Sequence, residues 1–156
     1  MEPTVREARP EDWPAVTALL AELGRPAAGP DDTGHRETFL GYLSRDDAVA
    51  LVAEIEGRVV GFLDLEFRRR LNYRTPQAWI PDLVVTEMRR SRGVGRALLA
   101  RAEQLARERE CWSITLESAL WRERAHTFYE REGWSAYGKS FGKSYTGDRR
   151  PPPPQR

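Results

Sequence analysis

One cysteine, Cys111, stands in a chain of 156 residues, so no internal disulfide can staple the fold and no cysteine-based zinc site can form. That usage suits a reducing compartment, and Cys111 is expected as a small buried side chain opening a strand. No run of 18 apolar residues occurs, and the start of the chain lacks a basic-then-apolar signal pattern, so a soluble, cytoplasmic protein is expected. An excess of charge is missing too. Lys plus Arg number 25 against 24 for Asp plus Glu, so the overall field gives neither nucleic acid nor an anionic membrane as the main partner, and electrostatic function must be local. Lysine is nearly absent: with only Lys139 and Lys143, the other 23 of the 25 basic residues are arginine. No HExxH-type spacing or acid cluster points to a metal, and none is expected.

A chain of this length fits one domain, large enough to bury close to 70% of its unfolded surface. Residues 1–146 are read as that domain. Gly147 to Arg156, with Pro151 to Pro154 consecutive, is read as a disordered Pro/Arg-rich tail.

The pattern of apolar residues gives the elements. Thr4 to Ala8 is extended, and Pro10-Glu11-Asp12-Trp13-Pro14 carries the acids and early proline of a helix start. Val16, Leu19, Leu20 and Leu23 follow at helical spacing as far as Gly24. Gly24 to Gly34 is loop, and His35 to Leu43 a second helix. Ala48 to Glu54 and Arg58 to Leu65 form a hairpin around Glu56-Gly57, with Gly61 marking a bulge or a close backbone approach. Glu66 to Pro76, rich in arginine, connects to a central strand over Ala78 to Val85. Pro81 cannot donate to a ladder, so a bulge or a parting of strands is expected there. A helix from Gly93 to about Glu110, a strand from Trp112 to Glu117 and a helix from Glu123 to Arg131 follow. Strands at Trp134 to Tyr137 and Ser140 to Tyr145 complete the sheet. The order β-α-α-β-β-β-α-β-α-β-β predicts an α/β (α+β) fold: a mixed, mostly antiparallel sheet of about seven strands with helices on both faces.

Between the strand ending at Val85 and the helix beginning near Val94 lies Arg90-Ser91-Arg92-Gly93-Val94-Gly95-Arg96. Free amides and the positive dipole end of the helix converge there, which suits a diphosphate. The glycines admit close approach of the main chain, and Arg89, Arg90, Arg92 and Arg96 add charge. A dinucleotide fingerprint would need glycine at Leu98, and a P-loop would need Gly-Lys-Ser/Thr; neither is present.

This segment, after the apolar strand Ile80-Pro81-Asp82-Leu83-Val84-Val85, resembles the Arg/Gln-x-x-Gly-x-Gly/Ala signature of the GNAT superfamily of N-acetyltransferases. A second signature of that family, Ala-x-x-Phe-Tyr-Glu-x-x-Gly-Phe/Trp, has its counterpart in Ala125-His126-Thr127-Phe128-Tyr129-Glu130-Arg131-Glu132-Gly133-Trp134. Val5 to Asp12 is similar to the family's first strand and turn, so the resemblance covers about residues 4–145. It departs at Arg122, where many relatives carry an asparagine that contacts the cofactor arm.

The resemblance implies a direct transfer of the acetyl group of acetyl-CoA to an amine. It implies that Leu83, Val84 and Val85 bind the pantetheine arm, with the Val85 N–H polarising the thioester carbonyl. Arg90, Ser91, Arg92, Gly93, Val94, Gly95 and Arg96 would hold the diphosphate, and Arg122 and Phe128 would also face the cofactor. Tyr129 is the expected acid toward the departing thiol. A base must neutralise the amine, and the residues offer three. Asp82, a lone acid in an apolar strand, comes first, then Glu117, then His126. Read from the residues alone, Asp82 serves equally well as a buried acid bonded to backbone. A small-molecule primary amine is the expected acceptor. A protein lysine or N-terminus, or an acyl-CoA sensor without turnover, are the alternatives. The family also implies pairing of copies into a homodimer through sheet edges.

Overall fold

The computed structural model describes residues 1–25, 29, 31–90 and 93–146. The chain begins with strand β1 (Thr4–Glu7), a 3-10 turn over Pro10–Asp12 and helix α1 (Trp13–Glu22). Helix α2 (Thr33–Leu43), β2 (Ala48–Ile55), β3 (Arg58–Arg68), β4 (Gln77–Ile80) and β5 (Leu83–Val85) follow. Helix α3 (Val94–Glu108), β6 (Ser113–Leu116) and helix α4 (Glu123–Arg131) complete the order. Two compact units divide at Leu116. The expected tail, Ser91 and Arg92 lie outside the described residues.

The local reasons are simple. Helix α1 runs out at Gly24, whose φ of 89° suits glycine. Helix α2 starts on Asp32, whose Oδ1 accepts from the His35 N–H at 3.0 Å. Strands β2 and β3 turn on Glu56 and Gly57, both with positive φ (51° and 75°), the twist that a two-residue hairpin requires. Ala53 faces Gly61 while Glu54 faces Val59, so Val60 is the extra residue of a bulge.

The six-stranded sheet runs β1-β2-β3-β4-β6, with β5 also on β3. All pairs are antiparallel except β4 with β6, which run parallel. On one face, Ala50, Val52, Phe62 and Val84 pack with Trp13, Val16 and Leu19 of α1 and Phe39 of α2. Helix α3 covers the other face through Val94, Leu98, Leu99 and Ala102, all 2% exposed or less. Each of the valine and leucine side chains among them contributes about 1.5–3 kcal/mol by leaving water. Helices therefore flank both faces. Gly61 sets how close α3 sits: a Cβ there would lie 2.9 Å from Val94 Cγ1 and 3.0 Å from Leu98 Cδ1. Close approach, with the bulge one residue earlier, is what this glycine provides.

Three expectations need correction. The central strand over 78–85 is two strands, β4 and β5, separated by Pro81 and Asp82. Cys111 is half-buried and precedes β6 rather than opening it; its N–H caps α3 by donating to the Ala106 carbonyl at 2.9 Å. Residues 134–146 contain no strand, so among the described residues the sheet has six strands and the order ends at α4. Gly138 and Gly142 offer nothing to pack, and Tyr137, Phe141 and Tyr145 are 81%, 90% and 93% exposed.

Candidate active site

Pro81 explains the geometry that matters most. Glu66 pairs with Trp79, but Leu63 pairs with Leu83, so two residues of β3 oppose three of the neighbouring chain, Ile80, Pro81 and Asp82. Up to Ile80 the strand lies between β3 and β6; beyond the break, β5 pairs with β3 and, among the described residues, with nothing on its other side.

Which groups face that open edge follows from the ladder. The Thr86 N–H donates to the Val60 carbonyl at 2.9 Å and the Asp64 N–H to the Asp82 carbonyl at 3.2 Å. Residues 82, 84 and 86 thus aim their main-chain groups at β3. By the alternation of an antiparallel pair, Leu83 and Val85 aim theirs outward. The residue expected to polarise a thioester, Val85, has its N–H on the free edge.

From that edge the chain enters a short 3-10 turn, Glu87–Arg89. Glu22, at the end of α1, anchors it by accepting from Thr86 Oγ1 at 3.0 Å and from the Glu87 N–H at 3.2 Å. Arg90 Nε reaches back to the Val85 carbonyl at 3.4 Å. Gly93 caps α3 with φ 78°, and a Cβ there would meet nothing within 4 Å. Its left-handed conformation, rather than crowding, is what calls for glycine. The first intrahelical bond is Ala97 N–H to the Gly93 carbonyl at 3.0 Å, so the amides of Val94 and Gly95 open onto the loop, where the helix dipole favours an anion.

Asp82 is not a lone acid. Its Oδ1 accepts from Arg25 Nε at 2.6 Å, and Arg25 Nη2 also reaches the Pro81 carbonyl at 3.1 Å. Its side chain is 17% exposed and that of Arg25 52%. Directly beside it is Asp64, 9% exposed, whose Oδ1 accepts from the Asp82 N–H at 2.6 Å. Burial, then the Asp82 charge and a hydrogen bond with its side chain, push the Asp64 carboxyl well above the usual carboxylate range. Tyr42 lies in the same field: burial, with the charges of Asp64, Glu66 and Asp82, raises its hydroxyl well above the usual phenol range, although Arg45 opposes this. Among the described residues, the buried Tyr42 hydroxyl and Trp79 indole N–H have no hydrogen-bond partner.

Asp64, Arg25, Tyr42 and Trp79 were not singled out from the sequence. Asp64 could have been: Leu63-Asp64-Leu65 sets an acid in an apolar strand, as Pro81-Asp82-Leu83 does. Arg25 had no such signal, because its partner lies 57 residues away.

The remaining site residues belong to the second unit, which begins at Glu117. Glu117 is exposed and accepts from Ser140 Oγ at 3.2 Å. Arg122 is the exposed residue before α4. Within that helix the Phe128 and Tyr129 rings are 5.4 Å apart, and Trp134 lies 6.1 Å from Tyr129. Burial raises the Tyr129 hydroxyl above the usual phenol range, partly offset by the charge of Arg122. His126 is tied to its own unit, with Nε2 2.9 Å from the Ala119 carbonyl. A carbonyl only accepts, so Nε2 carries the hydrogen and that nitrogen is not a base.

Among the described residues, no helix is long and apolar enough to cross a membrane, and no three His, Cys, Asp or Glu cluster as a metal site.

Known proteins resemble this chain in fold and in sequence. A crystal structure of a transcriptional regulator from Bacillus halodurans C-125 superposes with a TM-score of 0.85 at 25% identity, over 92% of this chain and all of that one. The aminoalkylphosphonate N-acetyltransferase of Salmonella typhimurium is 31% identical over 140 residues, 90% of each chain. An aminoglycoside N(6')-acetyltransferase type 1 of Stenotrophomonas maltophilia is 27% identical over 85% of this chain and 86% of its own. The profile of the acetyltransferase (GNAT) family matches residues 7–134. With an open strand edge leading into a glycine-capped helix, and a family match across most of its length, the chain belongs to the GNAT family of acetyltransferases, which take acetyl-CoA as their donor.

Proposed function

We propose that the protein transfers the acetyl group of acetyl-CoA to a primary amine of a small, polar molecule. The observation that carries the reading is the break at Pro81 and Asp82. It opens the Leu83–Val85 edge toward a donor and sets an acid at the same point.

In this reading the pantetheine arm adds to the free edge of β5 as a further strand would. The Val85 N–H then points at the thioester oxygen, on which negative charge develops as the amine attacks; a preorganised donor stabilises that charge more than the ground state. The diphosphate takes the amides of Val94 and Gly95, with Arg90, Gly93 and Arg96 beside them; the resemblance also assigns Ser91 and Arg92, which lie outside the described residues. The family resemblance also assigns Arg122 and Phe128, of the second unit, to the donor.

An amine acceptor has a pKa of about 10.4 if lysine-like, so it arrives as an ammonium. Asp82 is the proposed base. In the resting protein its Oδ1 already holds a cation, the half-exposed guanidinium of Arg25, which an arriving ammonium would replace. Glu117 is the second candidate. The thiolate leaving group, with a thiol pKa of about 8.5, takes its proton from Tyr129, the acid that the family resemblance assigns.

Two considerations support a small polar acceptor. The unpartnered Tyr42 hydroxyl and Trp79 N–H are donors for an acceptor's oxygens. The relatives at 31% and 27% identity carry names for aminoalkylphosphonate and aminoglycoside acetylation. The homodimer that the resemblance implies and the cytoplasmic location expected from the sequence belong to the same proposal. The test is thiol release from acetyl-CoA with a panel of aminophosphonates, aminoglycosides, polyamines and lysine peptides. Turnover with one of the first three is expected; turnover confined to peptides would replace this reading with protein acetylation.

A further inference from the structure

Asp82 breaks the rule of its own ladder. In an antiparallel pair of this type, two facing residues exchange both main-chain hydrogen bonds. The Asp64 N–H does reach the Asp82 carbonyl at 3.2 Å. The reciprocal bond is different: the Asp82 N–H donates to the side chain of Asp64, at 2.6 Å from Oδ1. The extra residue inserted with Pro81 has moved the Asp82 amide away from its backbone partner, and a buried carboxyl has taken that partner's place.

We propose that Asp64 is a positioning residue: its carboxyl stands in for a main-chain partner at the break and so holds the Leu83–Val85 edge open to the donor. Only the link to the donor rests on the proposed function. The role at the break stands on the geometry alone.

The surroundings say in which form Asp64 does this. Its charged neighbours are Asp82 from the break and Glu66 from its own strand, and Tyr42 of α2 lies in the same field, where Arg45 also acts; Arg25 reaches Asp82. The two arginines are engaged elsewhere: Arg25 Nε on Asp82, Arg45 on Asp47 and Glu66. No cation bonds Asp64 among the described residues. Burial and the neighbouring Asp82 charge raise its pKa, which favours the protonated form of a buried acid flanked by acids. One oxygen then accepts from the Asp82 amide, while the protonated carboxyl shares a hydrogen bond with the Asp82 side chain. An asparagine offers the same acceptor and a donor in nearly the same shape.

The sign of the pH dependence follows. The unfolded aspartate ionises near 3.9, the folded one well above. Between these values the folded state binds more protons, so this group costs stability as pH rises above about 4, until its folded value is passed.

The experiment compares Asp64→Asn and Asp64→Leu with the parent by urea unfolding from pH 4 to pH 8 and by acetyl-CoA titration. Asp64→Asn should bind the donor within about threefold of the parent, since its hydrogen bonds survive. Its stability should gain on the parent steadily as pH rises. Asp64→Leu should bind at least roughly tenfold more weakly while folded, because the Asp82 amide is left without a partner. Equal loss of binding in both variants would overturn the proposal, as would undiminished binding in Asp64→Leu. A stability gap for Asp64→Asn that shrinks with rising pH would mean an ionised Asp64 and would overturn it too. If Asp64→Leu does not fold, the Asn variant and the pH slope still decide. If the parent itself binds no acetyl-CoA, the proposed function fails, while the pH slope still reads the state of Asp64.

Discussion

The two faces of strand β3 do different work. Toward α3 point Gly61, Leu63, Leu65 and Phe67, which are buried and apolar. Toward α1 and α2 point Phe62, then Asp64 and Glu66, and finally Arg68, whose guanidinium lies 4.0 Å over the ring of Trp79. One strand thus gives a dry face that sets the distance to a helix and a polar face that carries titratable groups to the break at Pro81. The period of two in a strand makes this division possible: neighbours in sequence serve opposite sides. On the dry face only size matters; on the polar face each group depends on its partner.

The sharpest test of that division removes chemistry without touching packing. Asp82→Asn keeps the shape of the polar face, and as the proposed base it should lower kcat/KM by about 100-fold, with the unfolding midpoint little changed. A variant as active as the parent would move the base to Glu117 or to water. Tyr129→Phe should lower kcat by a similar factor, roughly 100-fold, with donor affinity retained; an unchanged kcat would remove Tyr129 from the mechanism.

The reverse test fills the dry face. Gly61→Val would drive side-chain atoms into Val94 and Leu98, which lie 2.9 and 3.0 Å from even a Cβ. A loss of about 1–3 kcal/mol in stability is expected. Donor binding should weaken as well, because Val94 begins the helix whose amides are proposed to meet the diphosphate. Isothermal titration that shows parental affinity would uncouple the two.

A smaller effect separates two buried aspartates. Asp12 at the start of α1 takes two bonds from Arg6, at 2.8 and 2.9 Å, and one from the Arg9 N–H at 2.7 Å. The Arg6 hydrogen bond, foremost, holds it below the usual carboxylate range, despite burial. Its stabilisation is present above the unfolded value near 3.9 and is lost as pH falls through the folded one, opposite in sign to Asp64. Asp12→Asn should therefore flatten the acid limb of the stability profile, and Asp64→Asn the limb above about pH 4. Equal slopes in the two variants would break the comparison. Least of all, Asp32→Ala removes the α2 cap for about 1 kcal/mol, read from the urea midpoint.

Much of the frame was legible in the residues. The hairpin at Glu56 and Gly57, the apolar stripe of α3 and the glycine cap at its start are local signals, set by neighbours within a turn or a strand. Pro81 announced a parting of strands for the same reason: a missing N–H is visible in the sequence. The segment after Trp134 misled, because alternating aromatics look like a strand even where glycines and lysines between them leave no surface to bury. At the site, Asp82 was visible as an acid among apolar residues. Asp64 carries the same signal, an acid between Leu63 and Leu65, but its partner at the break is set by the pairing of strands and not by its neighbours in sequence.

The sequence by itself determined the helices and most of the strands, the place where the central strand must break, and the family. These rest on backbone chemistry and on periodicity, which act over a few residues. Only the tertiary structure decided what stands at the break. It brought Arg25 across 57 residues and Asp64 across 18 to meet one aspartate, so that of two similar acids one holds a cation and the other is pushed toward its protonated form. Ionisation depends on burial and on charges close in space, and both are properties of the folded chain.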